Sequence, residues 1–205
     1  MHKQGSQEWL DARLGILTGS RIADALGKKK SGGWLQSREN LLYELIAEQL
    51  TGKSADAFVS KEMQWGRDYE PDARRMYEVN TGNIVTECGL IMHPRIKGLG
   101  ASPDGLIDKR GMFEAKCPNT TTHLRYIVGA IVPTDYTFQM DLQLLCAERE
   151  WVDFESYDPR ILLEDQMSFI IRYEPSSDHL KSVEDQCVVF LAELASLRQT
   201  IEGKQ

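Results

Sequence analysis

The sequence lacks a long apolar run, a closely spaced pair of cysteines and an excess of basic residues. No stretch approaches the length of a membrane span, and Met1–Ser6 has no signal-peptide pattern. The four cysteines lie far apart without a Cys-x-x-Cys, and the four histidines have no ligand-like spacing, so neither a zinc nor an iron–sulfur site is supported. These absences predict a cytoplasmic protein with reduced, buried thiols and no membrane partner.

The net charge of −7 argues against a protein that coats nucleic acid without specificity. The acidic excess lies in the last third, since residues 121–205 carry seven Lys or Arg against fifteen Asp or Glu. A surface that binds a polyanion should therefore come from residues 1–120. Within that part, the basic loop 28–30 (Lys28, Lys29 and Lys30) is either a solvated linker or a contact to a phosphate backbone.

Length and periodicity predict a single α/β domain over residues 1–205, with no internal repeat or low-complexity segment. The predicted helices span residues 6–14, 21–26, 34–50, 60–80, 120–129, 133–148 and 176–201. The predicted strands span residues 84–85, 89–92, 106–107, 112–117, 151–157 and 167–173. This order indicates a sandwich in which helices flank a mixed central β-sheet.

One stretch concentrates residues suited to catalysis, from Ser102-Pro-Asp-Gly-Leu-Ile107 to Met112-Phe-Glu-Ala-Lys-Cys117. Proline and glycine should hold Asp104 in a tight, exposed bend, because proline fixes its backbone and glycine tolerates unusual dihedral angles. Side chains alternate along a strand, so Glu114 and Lys116 should share one face. If the two short segments form a hairpin, Asp104 returns beside them. Two carboxylates and an ammonium would then suit a divalent cation and a water next to a phosphate.

The same residues also have a structural interpretation. A Glu-x-Lys on a strand is commonly a solvated charge pattern, and Pro-Asp-Gly is commonly only a turn. The combination favours function, because an Asp followed by Glu-x-Lys at hairpin spacing matches the PD-(D/E)xK nuclease motif. With Ser before Pro-Asp-Gly and Cys-Pro after the lysine, it resembles the bacteriophage lambda exonuclease family of YqaJ-like viral recombinases.

Three further blocks, in family order, carry the same resemblance. Residues 7–20 resemble the opening motif Q-x-W-x-x-x-R-x-G-x-x-T-x-S, residues 65–74 are similar to G-x-x-x-E-x-x-A, and residues 136–139 resemble Tyr-x-x-Gln. Together the blocks extend from residue 7 to residue 143. Each block has its own structural alternative: Trp9 as core, Arg13 paired with a helix carboxylate, Ser20 as a helix cap, Glu70 as an exposed residue before a proline, and Gln139 as a solvated side chain.

The resemblance implies a restriction-endonuclease-like core and a role for each matched residue. Asp104, Glu114, the Ala115 carbonyl and Glu70 would hold metal, and Lys116 would act on the attacking water. The implied 5′-phosphate pocket consists of Arg13, Ser20, Ser102 and Gln139. Met63 would be an apolar wedge that parts terminal base pairs, with core filler as its alternative.

By the same resemblance, the chain is expected to be a magnesium-dependent 5′-to-3′ exonuclease on double-stranded DNA ends. Manganese is an alternative cofactor, and two ions are expected. Further implications are a 3′ overhang, a single-strand annealing protein as partner, a homotrimeric ring, and a phage or prophage origin in a bacterial host cell. The competing functions are a structure- or sequence-specific endonuclease of the same superfamily, and a catalytically silent module that binds DNA ends.

Overall fold

The computed structural model describes residues 4–54 and 60–204. The helices in this part are α1 Gln7–Ala12, α2 Ile22–Leu26, α3 Gln36–Thr51, α4 Lys61–Thr81, α5 Thr120–Gly129, α6 Thr134–Ala147 and α7 Ser177–Glu202. The strands are β1 Leu17–Thr18, β2 Val85–Thr86, β3 Ile91–Met92, β4 Leu99–Ala101, β5 Gly105–Ile107, β6 Gly111–Lys116, β7 Trp151–Tyr157 and β8 Ser168–Tyr173.

The strands of the described part form two sheets. A five-stranded sheet has the order β2-β5-β6-β7-β8, and a three-stranded sheet has the order β1-β4-β3. Each sheet contains one parallel pair, β6 with β7 and β1 with β4, while the other pairs are antiparallel. The predicted α/β class, with a mixed sheet and flanking helices, is confirmed. The small three-stranded sheet is an addition that the prediction did not include.

Helix ends follow the capping residues in the sequence. Ser60 accepts a hydrogen bond from the amide of Met63 at the start of α4, and Asn119 caps α5 in the same way. Gly52 and Gly82 end α3 and α4 in the left-handed conformation that glycine adopts without steric cost. These local signals fix the helix that carries Glu70 and the one that follows Lys116.

The apolar core places α4 and α6 against the long sheet. Ala73 and Tyr77 of α4 pack with Phe113 and Ala115 of β6. Met140 and Leu144 of α6 belong to a second cluster with Met112, Val152 and Phe154. The central strand β6 therefore has a helix packed against residues of each of its faces. In the described part of the chain, no helix is long and apolar enough to cross a membrane.

Candidate active site

The hairpin of β5 and β6 brings the motif residues together. In its register Gly105 faces Phe113, which puts Asp104 opposite Glu114 at the end of the hairpin. The Asp104 Oδ2 atom accepts a hydrogen bond of 2.9 Å from the backbone amide of Ala115. This places one carboxylate directly against the segment that bears the other.

The bend at Asp104 differs from the prediction in two respects. It is not an exposed turn, because Pro103 and Gly105 are both buried and Asp104 is half-buried. Gly105 also does not have a positive φ. Its role is close approach, since a Cβ atom there would lie 2.1 Å from Cγ1 of Val85 on the neighbouring strand β2.

Glu114 lies at the centre of the site, with its side chain fully buried. Lys116 forms an ion pair with its Oε1 atom. The same oxygen accepts a hydrogen bond of 2.5 Å from Gln139 Nε2, and Oε2 accepts one of 2.6 Å from Gln143 Nε2. Glu114 and Lys116 thus share one face of β6, as strand alternation requires.

The three carboxylates of the site influence one another. Burial, then the negative charges of Glu114 and Glu70, raise the pKa of Asp104 well above its usual range. Burial and Glu114 likewise raise the pKa of Glu70. For Lys116, burial alone would lower the pKa, but the charges of Glu114 and Asp104 outweigh it and raise the pKa. The ammonium is therefore the counterion of a site with too much negative charge.

A metal site at these residues stays a prediction. Within residues 4–54 and 60–204, no three His, Cys, Asp or Glu side chains are grouped so that they could hold a metal ion. Lys116 and two amides occupy the Glu114 oxygens instead. The donor types nevertheless fit a hard divalent cation, because all are oxygens. Such a cation would also relieve the mutual repulsion of the three carboxylates, which raises the pKa of Asp104 and of Glu70.

Trp9 connects two residues of the predicted phosphate pocket, Ser102 and Arg13. Trp9 Nε1 donates to Ser102 Oγ at 2.9 Å, and the Arg13 guanidinium carbon lies 4.1 Å from the centroid of the Trp9 ring. Arg13 Nη2 donates to Ser20 Oγ at 2.9 Å. The alternative that Trp9 is a core residue is wrong, since Trp9 is only half-buried. In this structure Trp9 orients polar groups.

Arg13 and Gln139 connect this pocket to the hairpin. Burial and the positive charge of Arg21 lower the pKa of Arg13 to about 10, so the guanidinium remains charged at neutral pH. A Cβ atom on Gly19, next to Ser20, would lie 3.4 Å from Cγ of Gln139. Gln139 therefore lies between the pocket and Glu114, and it is not a solvated side chain.

The remaining predicted residues lie on the surface or at the edge of the site. Met63 is 50% exposed on the first turn of α4, so core filler is excluded as its role. Glu70 is half-buried further along the same helix. The loop 28–30 is exposed, with Lys28 Nζ 5.0 Å from the centroid of the Trp34 ring.

Sequence reasoning missed two residues at the site. Gln143 contacts Glu114 directly, and the Tyr136 ring centroid lies 5.2 Å from Lys116 Nζ. The spacing of Gln139 and Gln143 was an available signal, because residues four apart lie on one face of a helix. Tyr136 belongs to the Tyr-x-x-Gln block but had no role assigned.

Comparison with known proteins identifies the family. Residues 8–150 match the YqaJ-like viral recombinase domain. The chain belongs to the YqaJ-like viral recombinase family. It is also 42% identical to an alkaline exonuclease (LHK-Exo) from Laribacter hongkongensis, with 97% of each chain covered and a TM-score of 0.89. LHK-Exo has also been solved in complex with dAMP.

The family assignment confirms the predicted resemblance and the prediction that the chain is a nuclease. The nuclease family also suggests dependence on a divalent metal in general. A phage-related exonuclease from Haemophilus somnus 129PT shares the fold, with a TM-score of 0.70 at 11% identity over 91% of this chain and 96% of that one. No curated protein sequence matches the chain significantly.

Proposed function

We propose that this YqaJ-like protein is a magnesium-dependent exonuclease that degrades one strand of duplex DNA from its 5′ end. The family and the exonuclease LHK-Exo support DNA exonuclease activity. The observation that carries the proposal is the register of the hairpin, which sets Asp104 opposite Glu114 with Lys116 on the same carboxylate. The product strand would be a 3′ overhang, the substrate of a single-strand annealing protein in phage-type recombination.

Asp104, Glu114, the Ala115 carbonyl and Glu70 would hold the metal. Oxygen donors of this kind favour magnesium, with manganese as the alternative, and we propose two ions. When bound, the metal supplies polarisation of the scissile phosphate and activation of a water. Among these groups Glu114 is fully buried, and three neighbouring side chains hold its oxygens.

Lys116 would act on the reacting phosphate through its charge. Its side chain is 24% exposed, so it borders the surface of the site. A cation here would offset the charge that develops on the phosphate oxygens and orient the attacking water. In the structure without DNA, the same ammonium compensates Glu114.

Arg13, Ser20, Ser102 and Gln139 would bind the 5′-terminal phosphate. The described hydrogen bonds of Arg13 go to hydroxyl groups, which cannot neutralise its charge. A terminal phosphate carries more negative charge than an internal diester, so such a pocket would prefer phosphorylated ends. After each cut, the new 5′ phosphate would enter the pocket and draw the strand forward.

We also propose that the protein encircles DNA as a homotrimeric ring, with the acidic last third on the outside. An acidic monomer holds DNA weakly by charge, whereas a ring can retain it topologically. The outer surface would be available to the annealing protein. Light scattering should give three times the monomer mass, and a monomer mass with and without DNA would contradict the ring.

The activity can be tested with a linear duplex and a supercoiled circle in magnesium buffer. Degradation of the linear form alone supports the exonuclease. Cutting of the circle would indicate an endonuclease, and binding without cleavage of either would indicate a silent end-binding module. Duplexes labelled at one 5′ or one 3′ end then give the polarity, which we expect to be 5′ to 3′.

A further inference from the structure

Gln143 is a buried amide that contacts the carboxylate at the centre of the site. It lies on α6 with 1% of its surface exposed. Its Nε2 atom lies 2.6 Å from Glu114 Oε2. Gln139, one turn earlier on the same face, donates to Glu114 Oε1 at 2.5 Å. Two neutral amides from one helix therefore fix both oxygens of one carboxylate.

This arrangement does not serve packing. Gln143 Oε1 has no hydrogen-bond partner among the described residues, which is a cost for a buried carbonyl. Its helical neighbours Met140 and Leu144 are fully apolar core residues, so an apolar side chain would suit the same position. Within residues 4–54 and 60–204, the one hydrogen bond of the Gln143 side chain is with Glu114, and that contact explains its presence.

Gln143 and Gln139 differ in what else they can reach. Gln139 is half-buried and borders Gly19 next to the phosphate pocket, so it can contact substrate as well as Glu114. Gln143 is enclosed and cannot reach DNA. Any effect of Gln143 on the reaction must therefore act through Glu114.

We propose that Gln143 is a positioning residue that fixes the orientation of Glu114 and thereby sets the metal affinity of the site. The inference rests on the proposed function, in which Glu114 holds metal. A ligand held in its binding orientation loses less freedom when the cation arrives, and removal of such outer partners typically weakens metal affinity by about 10- to 100-fold. A neutral donor suits this task, because it orients the carboxylate without neutralising it.

The test is manganese binding to the protein without DNA, measured by isothermal titration calorimetry. Gln143→Met removes the donor at similar length, and Gln143→Asn keeps an amide that is one methylene too short. Both should bind Mn²⁺ about 10- to 100-fold more weakly than the wild type. In nuclease assays both should need more Mg²⁺ for half-maximal rate, with the rate largely recovered at saturating Mg²⁺.

Asp141→Asn is the matched control. Asp141 is also fully buried on α6, but its partners are Tyr173 and His179, at 2.7 and 2.8 Å. This variant should melt at a lower temperature while it keeps wild-type Mn²⁺ affinity. The proposal is overturned if both Gln143 variants keep the wild-type Mn²⁺ affinity, or if Asp141→Asn loses as much Mn²⁺ affinity as they do. It is also overturned if the wild type does not bind Mn²⁺. If Mn²⁺ binding depends on Gln143 but no DNA is degraded, the proposed activity fails and the positioning role stands.

Discussion

If the proposed 5′-phosphate pocket is correct, Arg13 should give the enzyme a preference for phosphorylated over hydroxyl 5′ ends. Its guanidinium is stacked 4.1 Å from the centroid of the Trp9 ring and bonded to Ser20 at 2.9 Å, so it is already oriented before substrate arrives. A hydrogen bond to a charged group contributes about 1.5–3 kcal/mol. Loss of that contact should therefore lower the preference by roughly 10- to 150-fold. Lysine keeps the charge but loses the planar stacking and paired donors, so Arg13→Lys should lie between wild type and Arg13→Ala.

The assay compares initial rates on duplexes that differ only in a 5′-phosphate or a 5′-hydroxyl. The ratio of the two rates, not either rate alone, reports the pocket. Arg198→Ala is the control, because it removes one positive charge on α7, where Arg198 is paired with Glu202. It should leave the ratio unchanged. If Arg13→Ala keeps the full wild-type ratio, the phosphate pocket lies elsewhere and this reasoning fails.

Three further predictions concern stability and duplex opening. Glu155 is fully buried, and burial raises its pKa from 4.5 to about 8. The unfolded chain loses this proton near pH 4.5 and the folded protein only near pH 8, so the folded protein loses stability as the pH rises from 4.5 to 8. The unfolding free energy of Glu155→Gln should match that of the wild type near pH 4.5 and exceed it by roughly 4 kcal/mol at pH 8. If urea titrations give both proteins the same pH dependence of unfolding free energy, this prediction is wrong. Gly105→Ala should lower the unfolding free energy by about 1–3 kcal/mol, because the added Cβ meets Val85, and a second change, Val85→Ala, should restore most of that stability. A double variant no more stable than Gly105→Ala would show that contact with Val85 is not the reason for glycine here. Met63→Ala should slow digestion of blunt duplexes more than of frayed ends, with an unchanged melting temperature because Met63 is half exposed; equal slowing on both substrates would contradict the wedge.

The long elements could be predicted because their signals are local. The caps at Ser60 and Asn119 and the alternation of β7 each appear within a few residues, and the predicted bounds match those elements closely. The strands β1 and β4 could not be found in this way, since they have two and three residues and carry no usable period. Their existence depends on pairing with each other across the chain.

The site shows the same division. The hairpin spacing predicted that Asp104 returns beside Glu114, because both segments are short and adjacent. The contact of Gln143 with Glu114 could not be predicted, since periodicity gives the face of a helix but not the strand beneath it. The interpretation of Trp9 as a core residue is wrong for a related reason. A tryptophan on an amphipathic helix indicates a core position, yet here its indole nitrogen donates a hydrogen bond to Ser102.

If the ammonium and carboxylates of one hairpin perform phosphodiester hydrolysis, removing the ammonium in Lys116→Ala should abolish cleavage. The matched control is Lys109→Ala, which removes an exposed lysine from the turn at the other end of the same hairpin. Both variants are checked by circular dichroism in Mg²⁺, because removal of Lys116 leaves Glu114 without its present counterion. On a linear duplex in Mg²⁺, Lys116→Ala should lose at least about a hundredfold in rate while Lys109→Ala keeps it. A folded Lys116→Ala protein that cleaves at near wild-type rate would show that the hairpin ammonium is not part of the hydrolytic site.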